Sequence, residues 1–317
     1  MSSGPVTLIP CHGYDAESIA SLLEEHSEPY LKDLPSQGAK ILLKPNMVKA
    51  ISREKCAQTD PVFLEGVMLW GKARGWYLSI GDSPAIGSAH HAARVSGLDA
   101  VCQRQGVPLV EMKGNREVHE GDASATVTRT LDDFDGVVNC PKLKGHGQLY
   151  YTGAVKNLYG CMKGKRKVWL HMKHGDAGQG ADFAQMLLGH AKAVKPIFNI
   201  LDGVKAMAGK GPISGTPVHE GIIAMGRDPL SLDQVVFDHL GGDESSDPVM
   251  VLAREKGLLR DDLDVRLPLG AVSRGEFFFP GHEDRKPISF RPWILLRMVW
   301  RDLRSGGRAR RSSVLAK

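Results

Sequence analysis

Short runs of apolar residues recur along the chain, separated by segments in which apolar positions fall three and four apart. Val6–Ile9, Lys40–Leu43, Trp76–Ile80, Asp135–Asn139, Ile197–Leu201 and Ile222–Met225 have the length and composition of buried strands. Between them, Asp15–Leu31 places Ile19, Leu22 and Leu23 on one helical face, and Pro61–Arg74 opens with proline where a helix tolerates it. Further helices are predicted near Gly87–Arg94, Thr152–Tyr159, Leu230–Leu240 and Pro248–Lys256. Alternation of this kind predicts an α/β fold: a mainly parallel sheet with helices on both faces. No internal repeat is visible. Lys163–Gly180, rich in Gly, Lys and His, predicts a long loop. From Arg285 the pattern changes. Trp293–Leu296 and Met298–Trp300 form an apolar stripe interleaved with Arg291, Arg297, Arg301 and Arg304, which predicts an appended C-terminal amphipathic helix with a loose end. The chain therefore divides into an α/β domain over residues 1–285 and a basic amphipathic tail over residues 286–317.

Composition narrows the class. The 317 residues are 42% hydrophobic and 24% charged, as in ordinary folded proteins, which excludes collagen, a disulfide miniprotein and bulk disorder. The formal net charge of +5 hides an uneven spread. Residues 291–317 carry +7 and residues 140–175 carry +8, so the remainder stands at −10. An acidic body with two basic patches is a better description than a basic protein, and each patch suits an anion. The five cysteines are Cys11, Cys56, Cys102, Cys140 and Cys161; none are spaced as C-x-x-C. They predict reduced thiols in a cytoplasm and no intrinsic iron–sulfur or zinc motif. The N-terminus lacks a basic region followed by an apolar run, so no secretory signal is expected. No stretch reaches the roughly 18 uninterrupted apolar residues of a membrane-spanning helix.

The chemistry is expected where strands end, because ligands of open α/β sheets bind beyond the carboxyl ends of the strands. The second strand runs into Lys44-Pro45-Asn46 and the third into Gly81-Asp82-Ser83-Pro84. The fourth runs into Pro141-Lys142-Leu143-Lys144-Gly145-His146 and the fifth into Asp202-Gly203. In a parallel sheet these converge, so that Lys44, Lys142, Lys144 and His146 face Asp82 and Asp202 across a crevice. Ammonium groups suit phosphate or carboxylate. The start of the Thr152–Tyr159 helix would add backbone N–H groups, with Lys156 and Asn157 one turn in. Asn46 and Ser83 complete the substrate-binding candidates. The bland alternative is that strand-terminal lysines reach to solvent along their stems.

His146, flanked by lysines, is a neutral general base or a metal ligand on one reading, and a locally hydrogen-bonded loop histidine on the other. His171 and His174 could share a helix face but have no third ligand nearby, and His90-His91 is weaker still. Cys140 reads as a thiolate near lysines or, preferred, as a small buried hydrophobe. Residues 200–215, with Gly209, Gly211, Pro212 and Gly215, read as an irregular loop without the ending of a nucleotide P-loop. Asp228 with Pro229 reads as a helix cap; Asp233 faces either the core or the crevice. The tail reads first as a helix docked on the body, second as a membrane-surface helix through residues 291–317, and third as a nonspecific nucleic-acid binder. Stacking aromatics to support specific nucleic-acid recognition are lacking.

Taken together, Lys44-Pro45-Asn46, Gly81-Asp82-Ser83-Pro84, Pro141–His146, Gly153–Gly160, Asp202-Gly203 with Gly209–Pro212, and Asp228-Pro229 with Asp233 resemble, in order, the domain-of-unknown-function family numbered 362. The resemblance covers residues 38–258. It implies an α/β domain that many members join to a ferredoxin-like segment holding [4Fe–4S] clusters, and so a redox setting. This chain departs from that pattern, having no cysteine run to ligate a cluster. Three function classes follow. The first is an enzyme or binding protein for a small anionic substrate, with His146 as general base, Asp82 or Asp202 orienting it or holding a cation, and Lys44, Lys142, Lys144 and Lys156 neutralising the anion. The second is a redox accessory protein that meets an iron–sulfur partner. The third is a membrane-peripheral interaction protein acting through the tail. The cofactor and metal stay unassigned at this stage.

Overall fold

The computed structural model describes residues 4–120, 123–164 and 180–284. The predicted loop from Lys163 lies mostly outside these residues, as do His171, His174 and the tail from residue 285 onward.

The elements in chain order are β1 (Val6–Pro10), α1 (Ala16–His26), β2 (Lys40–Pro45), α2 (Pro61–Ala73), β3 (Tyr77–Ile80), α3 (Ala89–Ser96) and α4 (Leu98–Gln105). Then come β4 (Arg116–Glu120), β5 (Ala123–Val127), β6 (Gly136–Cys140), β7 (Lys142–His146), β8 (Tyr150–Thr152) and α5 (Ala154–Asn157). The chain continues through α6 (Ala181–Val194), β9 (Phe198–Ala208), β10 (Thr216–Gly226), α7 (Pro229–His239), α8 (Pro248–Glu255) and β11 (Val265–Arg266). Helix starts are set by local chemistry. Asp15, Asp60, Asp228 and Asp247 each accept a backbone N–H two or three residues on, and Pro follows three of the four at the first helical position.

The main sheet has the order β11-β1-β10-β9-β6-β2-β3, with β7 on the far part of β9 and β8 on β7. β3, β2, β6, β9 and β7 are joined in parallel. β10 is antiparallel to both β9 and β1, so β1 again points the same way as β9. The sheet is thus largely parallel, with β10 and β8 reversed, and the carboxyl ends of β1, β2, β3 and β6 reach one edge. Ile41, Leu43, Ile80, Val138, Phe198 and Ile223 pack on one face against Ile19 and Leu23 of α1, Phe63, Val67 and Trp70 of α2, Ala92 of α3 and Val101 of α4. On the other face Leu8, Leu201 and Ala224 meet Leu232 and Val236 of α7 and Met250 of α8, while Leu42 and Val137 meet Leu158 and Val194. Helices therefore cover both faces, as a sheet with apolar residues at every position requires.

Several local expectations are corrected. The helix predicted over Asp15–Leu31 stops at His26 and gives way to a 3-10 turn over Glu28–Asp33, which contains Pro29. Thr152 belongs to β8, and the helix predicted around it is one turn, Ala154–Asn157, followed by a 3-10 turn over Leu158–Cys161. Residues 200–208 are not an irregular loop; they continue β9 to Ala208, and only residues 209–215 turn the chain into β10. Asp202 consequently lies inside a strand, and Lys142–His146 is itself a strand. Gly145 permits that strand to approach the turn after β9, since a Cβ there would stand 2.6 Å from the Gly209 carbonyl oxygen.

Candidate functional site

Beyond the ends of β2 and β6 the side chains form one connected polar network. Lys44 pairs with Asn139 in register across β2 and β6, and Asn139 with Asn199 across β6 and β9, so the three share one face of the sheet beneath α5. The Lys44 Nζ lies 2.9 Å from Asp82 Oδ1 and also donates to the Pro45 carbonyl and, at 3.3 Å, to Asn157 Oδ1. Asp82 Oδ2 accepts the Met47 N–H, and its Oδ1 accepts the Ser83 N–H. Asn157 Nδ2 donates to the Lys44 carbonyl and to Asn139 Oδ1, and Asn139 Nδ2 donates to Asn199 Oδ1. Gly160 lies against this pair: a Cβ there would meet Lys44 Nζ at 2.6 Å.

The opposite face carries the second half. Lys142 and Asp202 are in register on β7 and β9, with Nζ 2.8 Å from Oδ2. The Tyr14 hydroxyl accepts from Lys142 at 2.8 Å and donates to Asp202 Oδ1 at 2.9 Å. The Asp60 N–H, at the start of α2, donates to Asp202 Oδ2. Burial pushes the Asp202 carboxyl up, Lys142 pulls it down, and nearby Asp60 adds to the upward shift. Tyr14 is raised as well, by burial and then by the charge of Asp202.

Asn46 joins the halves. Its Nδ2 donates to Asn157 Oδ1 at 3.0 Å and its Oδ1 accepts from Lys144 Nζ at 2.8 Å. Lys144 has, among the described residues, one more hydrogen-bond acceptor, the Ala57 carbonyl at 2.9 Å. Among the described residues no carboxylate lies within ion-pair distance of it, in contrast to Lys44 and Lys142. Burial holds the Lys144 amine well below the usual lysine range, and the charges of Lys156 and Lys142 push it further down. Asn46 is half-buried, while Lys44, Lys142, Lys144, Asp82, Asp202 and Asn157 are buried.

Lys44, Asn46, Asp82, Ser83, Lys142, Lys144, Asn157 and Asp202 are therefore gathered at one edge of the sheet. Lys44 and Lys142 do not face Asp82 and Asp202 across an open crevice; each is in direct, buried contact with one of them. Lys156 is half-buried and close enough to Lys144 to act on it electrostatically. His146 follows Lys144 on β7 but is held differently. Its Nδ1 accepts the N–H groups of Gln148 and Leu149, each at 3.2 Å, which leaves the proton of a neutral ring on Nε2. Among the described residues the partners of Asp82 and Asp202 do not include His146. The N–H groups at the start of α5 are not open to a ligand, because Ala154 and Val155 donate to Asp233 at 2.6 and 2.8 Å. Asp233 also accepts from the Tyr151 hydroxyl. Burial raises Asp233 to about 7 against the N–H donors that lower it, and Asp247 rises to about 7 for the same first reason. Cys140 is buried and its thiol is pushed up by burial, as for an inert hydrophobe. His90 and His91 are exposed on α3.

Sequence reasoning did not single out Asn139, Asn199, Tyr14 or Gly160. A signal existed for the two asparagines: each interrupts an otherwise apolar strand, where an amide must find partners. Tyr14 lies just past the carboxyl end of β1, the strand end left out of the convergence argument.

A largely parallel α/β sheet whose carboxyl edge is closed by buried lysines, carboxylates and asparagines defines the class. The chain belongs to the family described as Domain of unknown function (DUF362), which it matches over residues 41–238. It is 35% identical over 269 residues to the Thylakoid-associated protein sll1697 of Synechocystis sp., covering 83% of each protein. The lactate racemase apoprotein from Thermoanaerobacterium thermosaccharolyticum aligns with a TM-score of 0.44 at 11% identity, over 74% of this chain. The chain spans 57% of that racemase's length. Among the described residues, no helix is long and apolar enough to cross a membrane.

Proposed function

We propose that the carboxyl edge of the sheet binds a small anion, as an enzyme's substrate site or a receptor site. The observation that carries this is a charge imbalance in one buried network: Lys44, Lys142 and Lys144 against Asp82 and Asp202. A buried ammonium without a counter-ion is costly, so Lys144 either stays neutral or gains an anion. An anion brought beside it would accept a charge-assisted hydrogen bond from the Lys144 amine and offset the surrounding positive charge. Half-buried Asn46, Tyr14 and Ser83 are places where the network reaches toward solvent. Calorimetric titration with oxalate or inorganic phosphate tests the reading. Wild type is expected to bind, and Lys144→Met to bind at least about tenfold more weakly, the loss of one charge-assisted contact. Equal affinity in the two proteins refutes the assignment.

The name of the Synechocystis relative favours a second reading, peripheral membrane association. In this chain it would rest on the arginine- and tryptophan-rich residues 291–317. Co-sedimentation with anionic liposomes should fall when those residues are deleted, and unchanged sedimentation removes the tail as the anchor.

A further inference from the structure

We infer that Lys144 is a covalent amine, forming a Schiff base with a small 2-oxo acid bound at the carboxyl edge. The inference rests on the anion-site reading and names its substrate class. An ammonium carries three N–H donors and a neutral amine two, with one lone pair. Lys144 has two acceptors in place, Asn46 Oδ1 and the Ala57 carbonyl. Among the described residues that arrangement satisfies the neutral amine in full and leaves its lone pair unengaged. The surroundings favour the same state: the side chain is buried, has no carboxylate in ion-pair contact among the described residues, and lies near Lys156, Lys142 and Lys44, whose charges Asp82 opposes without reversing the downward shift. Lysines activated in this way, by desolvation and cationic neighbours, act as amine nucleophiles toward carbonyls.

The same neighbours choose the carbonyl compound. A neutral aldehyde or ketone gains nothing from the surrounding ammonium groups, whereas a carboxylate next to the carbonyl does. In the step, the nitrogen lone pair forms a bond to the carbonyl carbon, and the C=O π pair moves to oxygen, which takes up a proton. The nitrogen loses its protons as the carbinolamine expels water, leaving a C=N bond. One amine and one 2-oxo acid become one imine and one water, with no oxidant or reductant. Entry would be through the segment between β2 and α2, which holds Lys144 by the Ala57 carbonyl and by Asn46. Apart from one 3-10 turn at Arg53–Lys55 it has no regular structure. Within itself it is tied by the Thr59 N–H on the Asn46 carbonyl and the Gln58 side chain on the Ile51 carbonyl, and it is held to the body by the Thr59 hydroxyl on the Cys140 carbonyl, the Met47 N–H on Asp82 and the Ala85 N–H on the Val48 carbonyl, bonds that entry would have to open.

The experiment is reductive trapping of the full chain with pyruvate and sodium cyanoborohydride near pH 7, followed by peptide mapping, alongside calorimetry with oxalate, an anion that forms no imine. At this pH an ordinary exposed lysine is about one part in a thousand or less free amine, so an amine held below the usual lysine range starts with an advantage. The expected result is a carboxyethyl adduct on Lys144 at least about tenfold above any other lysine, after allowance for slow entry. The adduct should be absent at that position in Lys144→Arg, whose fold is checked by circular dichroism. Mapping within the wild type locates the adduct even if that variant misfolds. Modification spread over surface lysines, with oxalate still binding, overturns the Schiff base and leaves the anion site standing. Failure of the wild type to bind oxalate overturns both.

Discussion

Lys44 and Asp82 offer the most direct test of the network's energetics. Their charged atoms are 2.9 Å apart and both side chains are buried, with Gly160 closing over them. Replacing Asp82 with Asn removes the counter-charge and leaves the Lys44 ammonium, among the described residues, with uncharged oxygens: the new amide, the Pro45 carbonyl and Asn157. Breaking a buried pair by removing one partner costs about 3–5 kcal/mol, because the survivor's charge stays uncompensated. Lys44→Met strands Asp82 in the same way, although the Met47 and Ser83 N–H groups still serve it. At about 2–4 °C per kcal/mol for a domain of this size, each single variant should melt on the order of 6–20 °C lower. The double variant should cost clearly less than the two singles together, since neither charge is then stranded. Urea unfolding of the four proteins, followed by far-UV circular dichroism, gives the coupling directly. A coupling of about 2 kcal/mol or more is expected. Additivity within about 0.5 kcal/mol would mean that the two charges do not depend on each other, and the buried-pair argument would fail.

Three further outcomes follow from the same contacts. Gly160→Ala should destabilise by about 1–3 kcal/mol in urea titrations, since the added methyl would press on Lys44 and Asp82; a neutral result would show that the network yields easily. Asp233 has its folded-state pKa raised to about 7 from an ordinary value near 4, so the native state holds more protons than the unfolded chain between those limits. Its contribution to stability is thus greatest at or below pH 4 and declines by a few kcal/mol as pH rises toward 7; Asp233→Asn should flatten that slope, and an unchanged pH profile would contradict it. Cys140, buried with its thiol pushed up, should resist iodoacetamide in the native protein at pH 8 and react only after unfolding, as shown by mass mapping.

Much of the fold was legible because apolar runs mark strands that are buried on both faces. β1, β2 and β10 contain the runs read from the sequence, β3, β6 and β9 begin one residue inside theirs, and the helices from Pro61 and Pro229 begin where proline and aspartate placed them. What escaped had a pattern that contradicts its environment. β7 reads Lys-Leu-Lys-Gly-His, yet all five residues are buried; its polar residues find partners only in the folded chain, so composition suggests a loop. β4 and β5 pair with each other outside the main sheet, and their mixed polar sequences carry little alternation. α6 was hidden by its neighbour, because the Gly- and Lys-rich stretch before Ala181 drew attention from the Phe183, Leu187 and Leu188 stripe after it.

The site was legible for a different reason, and its limits follow from that reason. A parallel sheet sends its strand ends to one edge whatever the helices do, so Lys44, Asp82, Lys142 and Asp202 could be placed together from strand order alone. Which lysine meets which carboxylate depends on register, and register is not written in any one strand. Lys142 pairs with Asp202 because β9 runs on past the level at which β6 breaks and β7 begins, a length set by β10 alongside it. That pairing consumes one carboxylate, the Lys44 contact consumes the other, and among the described residues Lys144, two residues from Lys142, is left with amide and carbonyl oxygens. The chemical singularity of Lys144 is thus a product of register. Sequence presented four similar lysines, and the fold makes one of them different.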